Sequence, residues 1–156
     1  MNTFLIQNNL ELCLKDNVWD HFKLLQRANE FSAENGGILI GQLNPAEKQV
    51  LITDFTEAMK SDKRSRFHFF RSEKSHQKVM DDLWEESDFT KTYLGEWHTH
   101  DEDVPSPSPT DIREWKRICN RQHNSPDLFF IIVGKMEIGI WTIRHGIVTA
   151  VNGGNQ

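Results

Sequence analysis

Cysteine is scarce in this sequence, and neither of its two cysteines, Cys13 and Cys119, lies in a C-x-x-C pair. Two cysteines are too few for a disulfide framework, so we expect both thiols to be reduced, as in cytoplasmic proteins. No segment approaches the roughly 18 consecutive apolar residues of a membrane helix. The first residues also lack the basic segment and long apolar run of a signal peptide. These absences predict a cytoplasmic protein without a membrane partner.

Excess positive charge is absent as well, because the formal net charge is −5. General nucleic-acid binding usually requires a basic face, so this charge balance argues against that class. The 156 residues are 37% hydrophobic and 26% charged, which is typical of a folded globular protein. We find no internal repeat and no low-complexity segment. We therefore expect one domain, residues 1–156, with a core of its own.

Hydrophobic periodicity predicts helices and strands in irregular order. The predicted helices are 17–32, 72–87 and one that begins at Pro109, and the predicted strands are 38–40, 49–55, 67–70, 93–97, 128–133, 136–143 and 147–151. Gly36 and Gly37 are expected to end the first helix. Because helices and strands do not alternate regularly, the pattern favours, within the broad α/β class, an α+β domain with a mixed sheet.

The most informative segment joins a predicted strand to a predicted helix. His98-Thr99-His100 ends the strand, and Asp111 follows in the first turn of the helix. Residues i and i+2 of a strand point to the same face, so one metal ion can contact both imidazoles. Catalytic zinc sites use imidazole and carboxylate ligands and keep one position for water. The spacing therefore predicts a zinc site, although Asp111 alone is also compatible with a carboxylate that stabilises the helix N-terminus.

Hydrolysis at such a site needs a group that takes a proton from water and returns it to the leaving amine. Glu34 is the candidate, because it precedes a glycine pair where the backbone can approach the site, and Glu30 is the nearest alternative. The hydroxyl of Ser108 could donate to a developing oxyanion. It could equally cap the helix that begins at Pro109.

Together these residues resemble the JAMM motif of MPN-domain metallopeptidases, which is a glutamate, a distant H-x-H, seven residues and then S-x-x-D. All five positions are present. The matching segments are Glu34, Gly36 to Gly41, Gly95 to His100, and Pro107 to Asp111. Many relatives have a proline directly after the H-x-H, where this chain has Asp101. That departure concerns the geometry of the following loop and leaves the metal ligands in place.

The resemblance implies a fold and a role for each motif residue. The MPN fold is a central curved β-sheet flanked by helices, with an architecture like that of cytidine deaminases. His98, His100 and Asp111 would bind one catalytic zinc ion, Glu34 would be the general acid and base, and Ser108 would stabilise the tetrahedral intermediate. The family hydrolyses isopeptide or peptide bonds that follow the C-terminal tail of ubiquitin and ubiquitin-like proteins.

The segment from Gly95 to His100 and the small size of the chain are most similar to the bacterial branch, and in particular to the JAMM peptidases of CBASS antiphage operons. That similarity implies a protein substrate with an extended C-terminal tail, namely a cGAS-like nucleotidyltransferase (CD-NTase). An E1–E2-like ligase from the same operon would conjugate the tail to target proteins, and this enzyme would release it.

Other functions remain as alternatives at this point. One is the processing of a sulfur-carrier or another ubiquitin-like protein, and another is a non-catalytic MPN scaffold, although scaffolds usually lose the metal ligands that this chain keeps. A zinc deaminase needs H-x-E and P-C-x-x-C, and both are missing. The H-E-x-x-H of other zinc peptidases is missing as well.

Two further features have open interpretations. Glu96 is expected to share a strand face with Leu94 and His98, from which it could orient a histidine. A basic cluster lies between positions 60 and 71, and it is either a solvated edge or a docking face for an acidic protein. The members of this cluster are Lys60, Lys63, Arg64, Arg66 and Arg71.

Overall fold

The structure is a computed structural model that describes residues 1–65 and 69–151, and within them the chain forms three α-helices and ten β-strands. The helices are α1 (Asp16–Ala28), α2 (Glu73–Glu86) and α3 (Pro109–Cys119). The strands are β1 (Asn2–Ile6), β2 (Leu10–Leu14), β3 (Gly36–Asn44), β4 (Gln49–Phe55), β5 (Lys63–Arg64), β6 (Phe69–Phe70), β7 (Thr92–Thr99), β8 (Phe129–Val133), β9 (Ile138–Arg144) and β10 (Ile147–Ala150). None of these helices combines the length and the apolar character needed to cross a membrane.

Eight of the strands form one sheet in the order β1-β2-β4-β3-β7-β8-β9-β10, while β5 pairs with β6. The pairs β2–β4 and β7–β8 are parallel, and the other neighbours in the large sheet are antiparallel. The sheet curls so far that its two edges meet. Residues of β1 at one edge and of β9 and β10 at the other line a single cavity of about 140 Å³. The predicted mixed α+β fold is confirmed.

Strand β8 is buried along its whole length, and its side chains alternate between two cores. Phe129, Ile131 and Val133 pack in the core that contains Val18 and Phe22 of α1, whereas Phe130 and Ile132 pack with Trp115 and Ile118 of α3. Each fully buried side chain of this size stabilises the fold by about 1.5–3 kcal/mol. Helices α1 and α3 therefore cover opposite faces of the sheet, and α3 lies on the face to which the motif histidines at the end of β7 belong.

The first helix is shorter than predicted. It ends at Ala28, where Asn29 adopts a left-handed conformation (φ 52°) and its N–H caps the last turn. Gly36 and Gly37 do not end this helix but begin β3, so that part of the prediction was wrong. Because they have no side chain, neighbouring backbone can approach β3 closely here. A Cβ on Gly37 would lie 2.1 Å from the carbonyl oxygen of Thr56.

The N-terminal hairpin of β1 and β2 was not predicted. Its turn contains Asn8 and Asn9, which both have positive φ angles (65° and 60°), a conformation that asparagine tolerates. The predicted strand at 67–70 is described only over Phe69–Phe70, as β6, and positions 67 and 68 lie outside the described residues. The predicted strand at 49–55 and the predicted helix start at Pro109 are confirmed.

Candidate active site

The end of β7 carries two imidazoles on one face of the sheet. The Nε2 atoms of His98 and His100 lie 3.0 Å apart. The intervening Thr99 points to the other face, where its hydroxyl accepts a hydrogen bond from the backbone N–H of Asn35 at 2.9 Å. Its own N–H donates to the carbonyl of Asn35, also at 2.9 Å. Thr99 therefore ties the histidine strand to the segment that precedes β3.

Asp111 reaches the same point from the first turn of α3. Its carboxylate oxygens lie 3.4 Å from Nε2 of His98 and 3.2 Å from Nε2 of His100. Ser108 is the N-cap of this helix, because its hydroxyl accepts from the N–H of Asp111 and its own N–H donates to the Asp111 carboxylate at 2.9 Å. This reciprocal pair of bonds is a capping box, and it fixes the direction of the Asp111 side chain.

The three side chains fit a zinc ion by their chemistry and their spacing. One potential ligand atom from each of His98, His100 and Asp111 lies within 4.8 Å of the others. Two imidazole nitrogens with one carboxylate oxygen match the ligand set of catalytic zinc sites. The Nδ1 of His100 lies 2.8 Å from the carboxylate of Glu102. Such a partner fixes which imidazole nitrogen faces the metal, as is common for histidine ligands.

Glu34 lies beside these residues in the fold. Its carboxylate is 4.0 Å from Nε2 of His100, and only 7% of the side chain is exposed. Two contacts hold its backbone, because its N–H donates to the carbonyl of Ser65 at 2.7 Å and its carbonyl accepts from Nε of Arg64 at 2.8 Å. The alternative base, Glu30, is exposed, whereas Glu34 is buried beside His100, so the fold favours Glu34.

The charges of this cluster move the pKa values of its members apart. Burial raises the pKa of Glu34 to about 7, against the lowering effect of His98 and His100. Burial lowers the pKa of His100, but its contacts with Asp111 and Glu102 outweigh that effect and raise the pKa to about 9. Burial also disfavours the charged form of Asp111, yet the two histidines hold the pKa of that carboxyl well below its usual range. A buried acid with a pKa near neutrality is suited to proton transfer.

The loop between the histidines and α3 is held against the β8–β9 turn. The N–H of Lys135 donates to the carbonyl of Glu102 at 2.8 Å, and that of Met136 donates to the carbonyl of Asp103 at 3.0 Å. Asp101, which replaces the usual proline of the motif, places its carboxylate 2.7 Å from the ammonium of Lys135. The departure from the motif thus adds an ion pair that anchors the loop.

A cleft of about 630 Å³ runs along the site, and we call it the active-site cleft. Its lining includes Glu34, His98, Ser108 and Asp111, and also Phe69, Arg71, Glu73, Glu96, Trp97, Thr110, Arg113, Glu114, Trp115 and Arg117. Of the basic cluster found in the sequence, Arg71 therefore lines the cleft, and Arg64 holds the backbone of Glu34. Lys60 and Lys63 are exposed, whereas Arg66 lies outside the described residues.

The sequence left open whether Glu96 orients a histidine, and in the structure its carboxylate binds Arg71 instead. A bulge at Gly95, which has a φ of +133°, shifts the register between β3 and β7. As a result Leu94 packs in the core on the α1 side of the sheet, whereas Glu96 lines the cleft with His98. The Glu96 carboxylate accepts hydrogen bonds from Arg71 at 2.6 and 2.9 Å.

The residues that position the site were mostly missed in the sequence. Glu102, Thr99, Asn35 and Arg64 act on motif residues through contacts that the fold creates. Glu102 alone carried a local signal, since a carboxylate two residues after a candidate ligand can reach the second imidazole nitrogen. Arg64 lies 30 positions from Glu34, and no sequence spacing predicts that contact.

The fold has a solved counterpart. The solution structure of a protein from Desulfitobacterium hafniense matches with a TM-score of 0.64, and the match covers 89% of this chain and 88% of that chain. The two sequences are 17% identical, so this likeness concerns the fold alone.

Curated relatives named CD-NTase/cGAS isopeptidase are similar over most of the chain. The protein from Pseudomonas aeruginosa is 34% identical over 73% of this chain and 71% of its own length. The protein from Escherichia coli is 38% identical over 70% and 67%, and that from Vibrio cholerae is 30% identical over 80% and 76%. The family described as prokaryotic homologs of the JAB domain matches residues 20–144. The chain belongs to this family of prokaryotic JAB-domain proteins.

Proposed function

We propose that this protein is a zinc-dependent isopeptidase that releases a CD-NTase from the proteins to which the CD-NTase is conjugated. The observation that carries the proposal is the convergence of His98, His100 and Asp111 beside the buried Glu34. The relatives named CD-NTase/cGAS isopeptidase indicate the substrate. The setting would be cytoplasmic antiphage (CBASS) defence, where an E1–E2-like ligase forms the conjugates that this single-domain enzyme reverses.

His98, His100 and Asp111 would hold the metal. Zinc bound there would supply Lewis-acid polarisation and lower the pKa of water toward about 7. The contact between Glu102 and Nδ1 of His100 keeps Nε2 directed at Asp111 and His98. The capping box at Ser108 does the same for the carboxylate of Asp111. Contacts within the chain thus orient two of the three proposed ligands, His100 and Asp111.

Glu34 would move the proton of the reaction. Its carboxylate takes a proton from the attacking water as the water oxygen bonds to the carbonyl carbon of the isopeptide. It then returns that proton to the nitrogen of the departing lysine side chain as the carbon–nitrogen bond breaks. The products are a free C-terminal carboxylate and a free lysine amine. Burial favours the protonated form of this carboxyl, which helps a group that must both accept and return the proton.

Ser108 would stabilise the negative charge that develops on the carbonyl oxygen. Its hydroxyl oxygen already accepts the N–H of Asp111, and a hydroxyl has one proton left to donate. The cap and the oxyanion donor therefore use different parts of the same hydroxyl group.

The test is hydrolysis of a defined conjugate. We would join the C-terminus of the CD-NTase to the lysine of a reporter protein through an isopeptide bond and incubate it with wild type or with Glu34→Ala, with and without a zinc chelator. We expect cleavage at the junction by the wild type only, and none in the presence of chelator.

An intact conjugate after incubation with zinc-loaded wild type would overturn the proposed substrate. A parallel reaction with a ubiquitin-like or sulfur-carrier fusion would then show whether the site hydrolyses another tail. Cleavage of the CD-NTase conjugate by Glu34→Ala at the wild-type rate would overturn the assigned proton transfer instead.

A further inference from the structure

A half-buried ion pair that lines the active-site cleft has no part in the chemistry described above. Glu96 lies two residues before His98 on the same face of β7, which places it roughly 6–7 Å along the strand. Only 16% of the Glu96 side chain and 15% of the Arg71 side chain are exposed. Removing both charges from most of the solvent costs desolvation free energy, so the pair is a weak stabiliser of the fold. Its position in the cleft therefore invites a functional explanation.

The hydrogen bonds of Glu96 are distributed unequally between its two oxygens. Nε and Nη2 of Arg71 donate to Oε1 at 2.9 and 2.6 Å, and the hydroxyl of Tyr93 donates to the same atom at 3.2 Å. Within the described part of the chain, no donor reaches Oε2. An ionised carboxylate can accept about four hydrogen bonds, and a poorly satisfied oxygen in a cleft is a site for an incoming donor.

The charge of the cleft indicates what kind of donor fits. Apart from Glu34 and the residues around the metal site, the lining carries three arginines and three glutamates, so its charges balance. Arg71 neutralises Glu96, and Arg117 donates to both oxygens of Glu114 at 3.0 and 2.5 Å. An ammonium group at Oε2 would add an uncompensated charge. A neutral N–H, such as a peptide amide, would not.

The walls of the cleft favour an extended peptide. The aromatic rings of Phe69 and Trp115 both line it. A Cβ on Gly36 would lie 2.8 Å from the Phe69 ring, so the ring can occupy this position only because residue 36 is glycine. An extended chain offers its amide groups at a spacing of roughly 3.3 Å per residue, alternating in direction. One amide of a bound tail can therefore meet Oε2 while the scissile bond lies at the metal site.

We propose that Glu96, held by Arg71 and Tyr93, is a substrate-binding residue whose Oε2 accepts a hydrogen bond from one main-chain amide of the tail, about two residues from the scissile bond. The inference rests on the proposed function, because it takes the substrate to be a peptide tail. It also gives the enzyme a sequence rule, since proline has no N–H and would be rejected at that tail position.

The experiment measures binding rather than turnover. The probe is a fluorescein-labelled peptide of the last ten residues of the CD-NTase, bound to zinc-loaded Glu34→Ala protein and followed by anisotropy. A series of peptides carries one N-methylated amide each. We expect one peptide of the series to bind about 10-fold more weakly or worse, as the loss of a hydrogen bond to a charged group implies.

Glu96→Gln in the same background is the decisive variant. Arg71 and the Tyr93 hydroxyl are donors, so the glutamine oxygen must face them and its NH₂ group replaces Oε2. We expect the unmodified peptide to lose the same 10-fold in affinity and to become insensitive to methylation at the critical amide. Glu114→Gln is the matched control, because it alters a paired carboxylate of the same cleft and should leave the methylation pattern unchanged.

The outcomes separate this inference from the proposed function. Tight binding that Glu96→Gln leaves unchanged, with zinc content and melting temperature at their parent values, would overturn the role of Glu96 and leave the isopeptidase assignment standing. Affinity that falls uniformly for every peptide of the series would also overturn it, because the effect would be structural. Failure of the parent protein to bind any peptide would overturn the proposed substrate, and the inference with it.

Discussion

Replacement of Ser108 separates its two roles, because they differ in the quantity they change. As an N-cap, Ser108 accepts the N–H of Asp111, and removing such a cap costs about 1 kcal/mol of stability, with a range of roughly 0.5–2. As an oxyanion donor, its loss would cost about 10²–10³-fold in turnover. The bond from its backbone N–H to the Asp111 carboxylate does not depend on the side chain and survives every substitution except proline.

Ser108→Gly and Ser108→Ala form the informative pair. Glycine at an N-cap costs only a few tenths of a kcal/mol relative to serine, whereas alanine costs about 1 kcal/mol. For a domain of this size the alanine variant should melt about 2–4 °C lower and the glycine variant close to the wild type. Both lack the hydroxyl, so both should lose about 100-fold or more in turnover. Ser108→Thr, which keeps the hydroxyl, should stay near the wild type in both measurements.

The assay combines thermal unfolding, zinc content and the rate of conjugate cleavage on the same preparations. A loss of about 1 kcal/mol leaves a protein of ordinary stability almost fully folded, so unfolding alone changes the rate less than twofold. If the alanine variant retains more than half of the wild-type rate with its zinc bound, Ser108 is only a helix cap and the oxyanion role is refuted.

Three further predictions concern residues around the site and the fold. Glu102→Ala, which removes the acceptor for Nδ1 of His100, should weaken zinc binding by about 10–100-fold, as judged by competition with a chromogenic chelator, and unchanged affinity would contradict the orienting role. Gly37→Ala should destabilise the fold by about 1–3 kcal/mol in urea unfolding, since the new methyl would lie 2.1 Å from a backbone oxygen, and wild-type stability would show that the strands can part without cost. The carboxylate of Asp62, in the segment before β5, accepts hydrogen bonds from the N–H groups of Met59 and Ser72 and lies 2.8 Å from Nε2 of His76. Burial opposes ionisation of Asp62, but these contacts outweigh burial and lower its pKa, so its contribution to stability is complete above about pH 4 and fades as the pH falls below that value. The stability gap between wild type and Asp62→Asn should therefore close in acid, whereas a gap of constant size would contradict this linkage.

The sequence was sufficient for the elements whose pattern is local. The strand at 49–55, predicted as the hairpin partner of 38–40, and the Ser108–Pro109 start of α3 depend on neighbours in the chain, and both agree with the structure. The first helix was extended too far because Asn29, in a left-handed conformation, ends it without a glycine. The glycines that follow mark close approach of strands, and the sequence does not distinguish that use from a helix end.

The active site also combines features that local spacing predicts with features that only the folded chain creates. The spacing of His98, His100 and Asp111 let the sequence place three groups at one point, because a strand face and a helix start have known directions. The face of Glu96 was assigned wrongly relative to Leu94, because a bulge at Gly95 adds one residue and reverses the alternation. The ion pair between Glu96 and Arg71 joins positions 25 apart, and only the folded chain brings them together.

His98, His100 and Asp111 are assigned to the metal, whereas Glu34 is assigned to proton transfer. We would measure zinc content by mass spectrometry in wild type, Glu34→Ala and His100→Ala, and determine the cleavage rate of each preparation. The structure predicts about one zinc per chain in wild type and in Glu34→Ala, with turnover lost in the latter, and loss of both zinc and turnover in His100→Ala. Equal loss of zinc in the two variants, or full turnover by Glu34→Ala, would contradict the assignment of the proton to Glu34 and of the metal to the histidines.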